Sequence, residues 1–323
     1  METSTDKTKL KQNPLTCSGH TRPVVQLQFS PIINEKYYLI SACKDGKPIL
    51  RDGKTGDWLG TFLGHKGAVW CANLSKDAKL AVTGSADFTA KLWNAVTGEE
   101  LSTYSHQHIV RSCCFDSLGE KIVTGGQEKQ IRLFDIKNGD KQGLLFPKVE
   151  TNIKYLQWDN QKNLLFSSGE ESFIRVWDPR TMTEVKRLDT KSNISSMGIS
   201  MDESILQCSA GKQAIFWDIN NLELIKEMDF KFDVSSVSIS PNKKDKLIVG
   251  GISDLWVHTF DFNTGEELEV YKGHHGPVHS VSYSPDGEIY ASGSEDGTIR
   301  LWQNEPGKPY GLWQLKTESE VQS

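Results

Sequence analysis

Long apolar runs are missing from this chain, and so is any excess of positive charge. Nowhere do apolar residues approach the roughly 18 in succession that a membrane helix needs, so no membrane span is expected. Lys and Arg number 37 against 42 Asp and Glu, a formal net charge of -5. Gripping a phosphate backbone takes a basic face, so direct nucleic-acid binding is not expected. The densest basic run, Lys243-Lys244-Asp245-Lys246 after Ser240-Pro241-Asn242, reads as a solvated loop. Cysteine is scarce: the six residues form no CxxC pair, and the adjacent Cys113 and Cys114 would point to opposite faces of a strand. They read as reduced core thiols. Residues 1–14 lack a hydrophobic signal segment and a cleavage site, which predicts a solvated tail and a cytoplasmic and nuclear location. In that location the matches Asn73-Leu-Ser75 and Asn193-Ile-Ser195 would never meet the glycosylation machinery.

Catalytic signatures are equally thin. No GxSxG, HExxH or GxGxxG occurs. The run from Gly46 to Thr55 ends like a phosphate loop, but six residues separate its glycines where four are required, and no helix follows. His106-Gln-His108 could hold a metal, yet no Cys or carboxylate partner is evident nearby in sequence, and a satisfied turn histidine is the better reading. The expectation is a protein without cofactor, small-molecule substrate or catalytic centre.

What the chain has instead is repetition. From Gly273 to Trp302 an alternating segment, the turn Ser284-Pro285-Asp286-Gly287, a second short strand, the turn Glu295-Asp296-Gly297-Thr298 and a third strand follow one another. Short β-branched and aromatic strands punctuated in this way form antiparallel hairpins. The position of Trp302 recurs as Arg51, Trp93, Phe134, Trp177, Trp217 and Phe260, at intervals of 42, 41, 43, 40, 43 and 42. One such unit cannot bury its own apolar faces and must stack on copies of itself. The prediction is an all-β fold: a seven-bladed WD-repeat β-propeller with four antiparallel strands per blade over residues 15–315, and a tail over 316–323. Ring closure removes exposed end faces. Leu15-Thr16-Cys17 should supply the outer strand of the last blade, although Tyr310-Gly311-Leu312-Trp313-Gln314-Leu315 alternates in the same way and is the other candidate.

Four positions recur within the repeats: His65, Thr83, Asp87 and Trp93 in the second, His274, Ser292, Asp296 and Trp302 in the seventh. A His, a hydroxyl and an Asp invite a triad reading. Repetition argues against it, because the set returns as His106, Thr124, Glu128 and Phe134 in repeat three and as His20, Ser41 and Asp45 in repeat one. A structural relay from the turn to the Trp N–H fits better. Repeat four has Val149, Ser167, Glu171 and Trp177. Repeat five has Asp189, Gln207 and Gly211 before Trp217, and repeat six has Phe232, Gly250 and Asp254, so blades five and six are expected to open first.

The residue after the first apolar position of each inner strand should project at the channel mouth: Val25, Trp70, Arg111, Lys154, Ser195, Ser235 and His279. Trp70 and Arg111 are types that dominate interface energetics, and Lys44, Lys47, Lys66 and Phe88 lie nearby in sequence. This rim is the expected partner-binding face, with Trp70 packing under a turn as the alternative.

Several segments carry a closer resemblance: Leu15 to Val25, Leu39 to Pro48, Thr55 to Trp70, Ala86 to Trp93, Thr181 to Lys186 and Gly265 to Glu269. With them the chain resembles the family of the serine/threonine kinase receptor-associated, or unr-interacting, WD-repeat proteins. That resemblance implies a non-catalytic adaptor. Its partners would be Gemin subunits of the survival-of-motor-neuron (SMN) complex, which loads Sm proteins onto spliceosomal small nuclear RNA, and the transforming-growth-factor-β (TGF-β) receptor pathway. Relatives of this family extend into an acidic tail, whereas this sequence stops at Ser323. The turn from Lys137 to Gln142 also departs from the family pattern. Subunit I of eukaryotic translation initiation factor three is similar over Gly64 to Cys71 and Thr83 to Asp87, and is the alternative.

Overall fold

Each repeat folds into one four-stranded antiparallel sheet in the computed structural model, which describes residues 12–139 and 141–306. Seven sheets are present among these residues, and within six of them the four strands pair in chain order. The inner strands are Val24–Phe29, Val69–Leu74, Val110–Phe115, Ile153–Asp159, Ile194–Ile199, Val234–Ile239 and Val278–Tyr283. Turn chemistry sets the hairpins. In repeat seven Gly287 adopts φ 68°, while the Ser284 hydroxyl accepts the Ile289 N–H at 3.1 Å and Asp286 accepts the Glu288 N–H at 3.0 Å.

No blade buries its apolar faces alone. Seven apolar clusters occur, one at each junction between neighbouring blades. Ile40, Leu50 and Phe62 of blade one pack on Val69, Leu74 and Trp93 of blade two. At the seam, Ile289, Ala291 and Leu301 of blade seven pack on Val24, Leu27 and Leu39 of blade one. The seventh sheet is completed by Leu15–Cys17, which pairs antiparallel with Ile299–Gln303 in the register Leu15↔Leu301, Thr16↔Arg300, Cys17↔Ile299. Gln12 extends the clasp by donating to the Gln303 carbonyl at 2.8 Å. The other candidate for this position, 310–315, lies outside the described residues.

Inner strands have one edge that no strand of their own sheet covers, and buried backbone groups there need partners. Side chains of the preceding blade supply them at every junction. Ser280 accepts the Leu27 N–H at 3.1 Å; Gln26 and Gln28 accept those of Ala72 and Leu74 at 3.0 and 2.7 Å. Ser112 serves Leu156, Gln207 serves Ile239, and Ser236 and Ser238 serve Val281 and Tyr283. At the two remaining junctions Asn73 and Tyr155 donate to the carbonyls of Cys113 and Ser195. Lys244 and Lys246, from the basic run, likewise reach Asp202 and the Asn304 carbonyl on neighbouring blades.

Deleting residues 1–17 should expose the last blade's edge and the seam cluster. The expected outcome is a loss of about 3 kcal/mol or more, read as a Tm drop of about 5 °C or more. An unchanged Tm would mean that another segment closes the ring.

Candidate functional site

Two groups of residues compete for a functional reading, the buried turn constellations and the channel mouth. The constellations are closed hydrogen-bond chains. In blade two the Trp93 indole donates to the Thr83 hydroxyl at 2.8 Å, Thr83 meets His65 Nε2 at 2.7 Å, and His65 Nδ1 meets Asp87 at 2.8 Å. Blade seven repeats it: Trp302 to Ser292 at 2.8 Å, Ser292 to His274 Nε2 at 2.7 Å, His274 Nδ1 to Asp296 at 3.0 Å. A carboxylate only accepts, so a neutral histidine carries its proton on Nδ1 and takes the hydroxyl proton at Nε2. That connectivity is the one a triad uses, but Thr83 and Ser292 are fully buried and their oxygens already accept the Trp93 and Trp302 indole N–H, so no substrate reaches them. Gly64 and Gly273 precede these histidines at positions where a Cβ would come within 3.0 and 3.2 Å of the Trp93 and Trp302 indoles.

The electrostatics agree with a structural role. Burial pushes His274 below its usual 6.5, against the opposing pull of Asp296. Burial alone would raise the Asp296 carboxyl, but the His275 N–H, the Thr298 hydroxyl and N–H, and His274 hold it down at about 2. Asp87 is lowered in the same way, with His65 and Thr89 overcoming burial.

Elsewhere the same space is filled differently. In blade one Arg51 stands in the aromatic slot, only 5% exposed, donating to Gly56 O at 3.0 Å and to Ser18 O. His20 still holds Ser41 at 2.8 Å and Asp45 at 3.0 Å. In blade three His106 keeps Thr124 at 3.3 Å, but Glu128 turns to Arg132, which forks onto it at 2.9 and 2.6 Å. Blade four pairs Glu171 with Arg175 at 3.0 and 2.7 Å and retains the Trp177–Ser167 bond at 2.8 Å. Blade six lacks the turn histidine and the hydroxyl, yet its turn is tied. There Asp254 is instead bound by His258 at 2.7 Å, which also meets Glu267 at 2.6 Å and stacks under Phe232 with ring centres 4.2 Å apart. Blade five has no such replacement, since Gly211 and Ile215 hold the two charged positions.

The ligand atoms of His20, Cys43 and Asp45 lie within 4.8 Å of one another, a spacing that could suit a metal. The bonds there have a simpler origin. Cys43 Sγ meets Arg22 O at 3.0 Å and the Asp45 N–H at 3.4 Å, while Ser294, its equivalent in blade seven, makes the matching bonds to Gly276 O at 2.9 Å and from Asp296 N–H at 3.3 Å. Cys43 thus fills a serine slot. Burial pushes its thiol up to about 12, away from the thiolate a metal requires. All six cysteines are free and buried. His108 rests against Phe88 at 5.4 Å, away from His106's relay.

At the channel mouth the seven rim positions share one backbone device. Val25, Trp70, Arg111, Lys154, Ser195, Ser235 and His279 are each skipped between two paired residues of their inner strand, a β-bulge in every blade. Bulges re-aim a side chain out of the sheet's alternation, and all seven residues line a channel of about 440 Å³. The Arg111 guanidinium lies 3.7 Å from the centre of the Trp70 ring, with Lys44 Nζ at 5.6 Å. Trp70 is half-buried and its indole N–H has no acceptor among the described residues. Two acids missed by the sequence reading flank the group: Glu295 meets Lys44 at 3.8 Å and His279 at 2.5 Å, and Glu170 meets Lys154 at 3.5 Å. Lys66 and Phe88 are exposed on the adjoining turns and do not line the channel.

The WD40 family model (WD domain, G-beta repeat) matches residues 56–94, 98–135 and 265–303. The chain is 49% identical over 311 residues to the serine-threonine kinase receptor-associated protein of Gallus gallus, covering 96% of this chain and 88% of that protein. The Dictyostelium discoideum protein of that name is 45% identical over 293 residues, covering 90% and 99%. Subunit I of eukaryotic translation initiation factor 3 from Drosophila grimshawi is 29% identical, covering 89% and 95%.

Blade five, lacking both the relay and the ion pair that replaces it elsewhere, should exchange its amides first, ahead of blade six. Faster exchange in blade two or seven would contradict this. Acid should also loosen the ring. Burial lowers the folded-state values of His20, His106 and His274, so the unfolded chain binds the extra protons. Stability is then lost as pH falls below about 6.5, by on the order of 1 kcal/mol per pH unit. Tm measured between pH 7.5 and 5 should decline less steeply in His106→Gln; parallel declines would remove His106 from this role.

Proposed function

We propose that this chain, which belongs to the family of the serine-threonine kinase receptor-associated proteins, is a non-catalytic adaptor that works by docking other proteins. The observation that carries the reading is the near-50% identity spread over 96% of the chain, on a ring whose histidine constellations are all committed to structure. The family resemblance points to the SMN complex, with Gemin subunits as contacts and Sm-protein loading onto small nuclear RNA as the process served. A second role lies in TGF-β receptor signalling. RNA would be reached through protein partners, in keeping with the net charge of -5, and the place of action would be cytoplasm and nucleus.

The docking face in this reading is the channel mouth around Trp70 and Arg111. A guanidinium stacked on an indole presents two anchor side chains already held in position, which reduces the ordering that binding requires.

Affinity purification of the tagged chain with mass spectrometry should enrich Gemin and Sm proteins. Co-sedimentation with 40S particles in their place would favour the initiation-factor role. Trp70→Ala with Arg111→Glu should weaken capture by about 2–4 kcal/mol while leaving the melting curve in place; unchanged capture would move the docking face elsewhere.

A further inference from the structure

The geometry points to the segment of partner that the mouth receives: we propose that Arg111 and Trp70 seat a carboxylate from an acidic linear peptide of a partner protein. This deepens the docking reading above and rests on it.

Three observations converge. Arg111 forms no ion pair among the described residues; its contact is the face of Trp70, which leaves the edges of the guanidinium fork free. A guanidinium so held matches a carboxylate in bidentate fashion. Beside it the Trp70 N–H is buried without an acceptor, and such a donor is expensive unless something reaches it. A carboxylate or peptide carbonyl at this point would satisfy both groups together.

The surrounding charge has the matching sign. The turns of blades one to three carry Lys47, Lys66 and Lys129, none of them in an ion pair among the described residues. The carboxylates of those same turns face inward, Asp45 on His20, Asp87 on His65 and Glu128 on Arg132. Lys44 and Lys154 are held only at 3.8 and 3.5 Å by Glu295 and Glu170, contacts that an incoming acid can replace. An otherwise acidic chain therefore turns a basic, aromatic sector to solvent over blades one to three. Glu170 and Glu295 interrupt it on either side, which suits a short acidic segment and opposes a continuous phosphate backbone.

The test uses the full chain with fluorescein-labelled oligoglutamate, oligolysine and oligouridylate of equal length, read by anisotropy at roughly 50 and 150 mM salt. Oligoglutamate should bind saturably and more weakly at the higher salt. Arg111→Gln should weaken it about tenfold or more, and Trp70→Phe, which keeps a ring but loses the N–H, a few-fold. Arg180→Gln, on an exposed outer turn, should change nothing. If Arg111→Gln melts early, Lys44→Gln with Lys154→Gln replaces it and should weaken binding and flatten the salt dependence. Equal or tighter binding of oligouridylate, no saturable binding of oligoglutamate, or affinity indifferent to these variants would overturn the proposal. The titration contains no cellular partner, so it fails or succeeds separately from the purification: oligoglutamate binding without Gemin capture would sink the assembly role alone.

Discussion

The ring depends on a debt that every blade carries to its neighbour. A four-stranded sheet has two apolar faces and an inner edge of unpaired backbone, and both are satisfied only by the next copy. The seven junction clusters handle the faces, and the Ser, Gln, Asn and Tyr side chains that cross between inner strands handle the edge. Closure is therefore a condition on every blade at once. A three-residue strand, Leu15–Cys17, is therefore placed where it bears on both the last sheet's edge and the seam.

A second constraint is local: in every blade but the fifth, side-chain bonds tie the turn between the middle strands to the entry turn or to the third strand. Where an indole fills the slot and a histidine sits on the entry turn, the hydroxyl between them serves both. Where the histidine is lost or the indole becomes phenylalanine, the carboxylate swings to a cation two residues before the slot, Arg132, Arg175 or His258. A bidentate or doubly bonded cation at such low exposure holds geometry well, although the net gain over an apolar isostere is small. The blades thus differ in chemistry while keeping one shape.

Much of this was legible because the spacings are rigid. The position that carries the hydroxyl lies ten residues before the slot and the position that carries the carboxylate six before it, whatever residue fills them, so the relay follows from spacing alone. The rim was legible for the same reason, since the bulge falls at the same place in each inner strand. What stayed hidden was partnership at long range. Ser280 with Leu27, or Gln28 with Leu74, joins residues whose pairing no local pattern specifies. His258 was overlooked because it replaces a turn histidine from a different strand, and Glu170 and Glu295 because ion pairs across blades leave no periodic trace.

The channel mouth shows how a repeated backbone acquires an individual surface. The bulge frees one residue per blade from the strict alternation that the core enforces, although Val25 and Ser235 still pack against their surroundings. Relay positions converge on a few residue types because an unpaired buried group is penalised wherever it occurs. Bulge positions diverge, from Val25, which packs on a junction cluster, through the stacked Trp70 and Arg111 to Ser235, which bonds the Gly250 carbonyl of its own sheet. Trp70 and Arg111 stack only because they stand on adjacent blades at the same height. Position in the ring, set by the fold, therefore turns two residues of unrelated type into a single stacked pair, and this is the level at which one propeller of this architecture can differ from another.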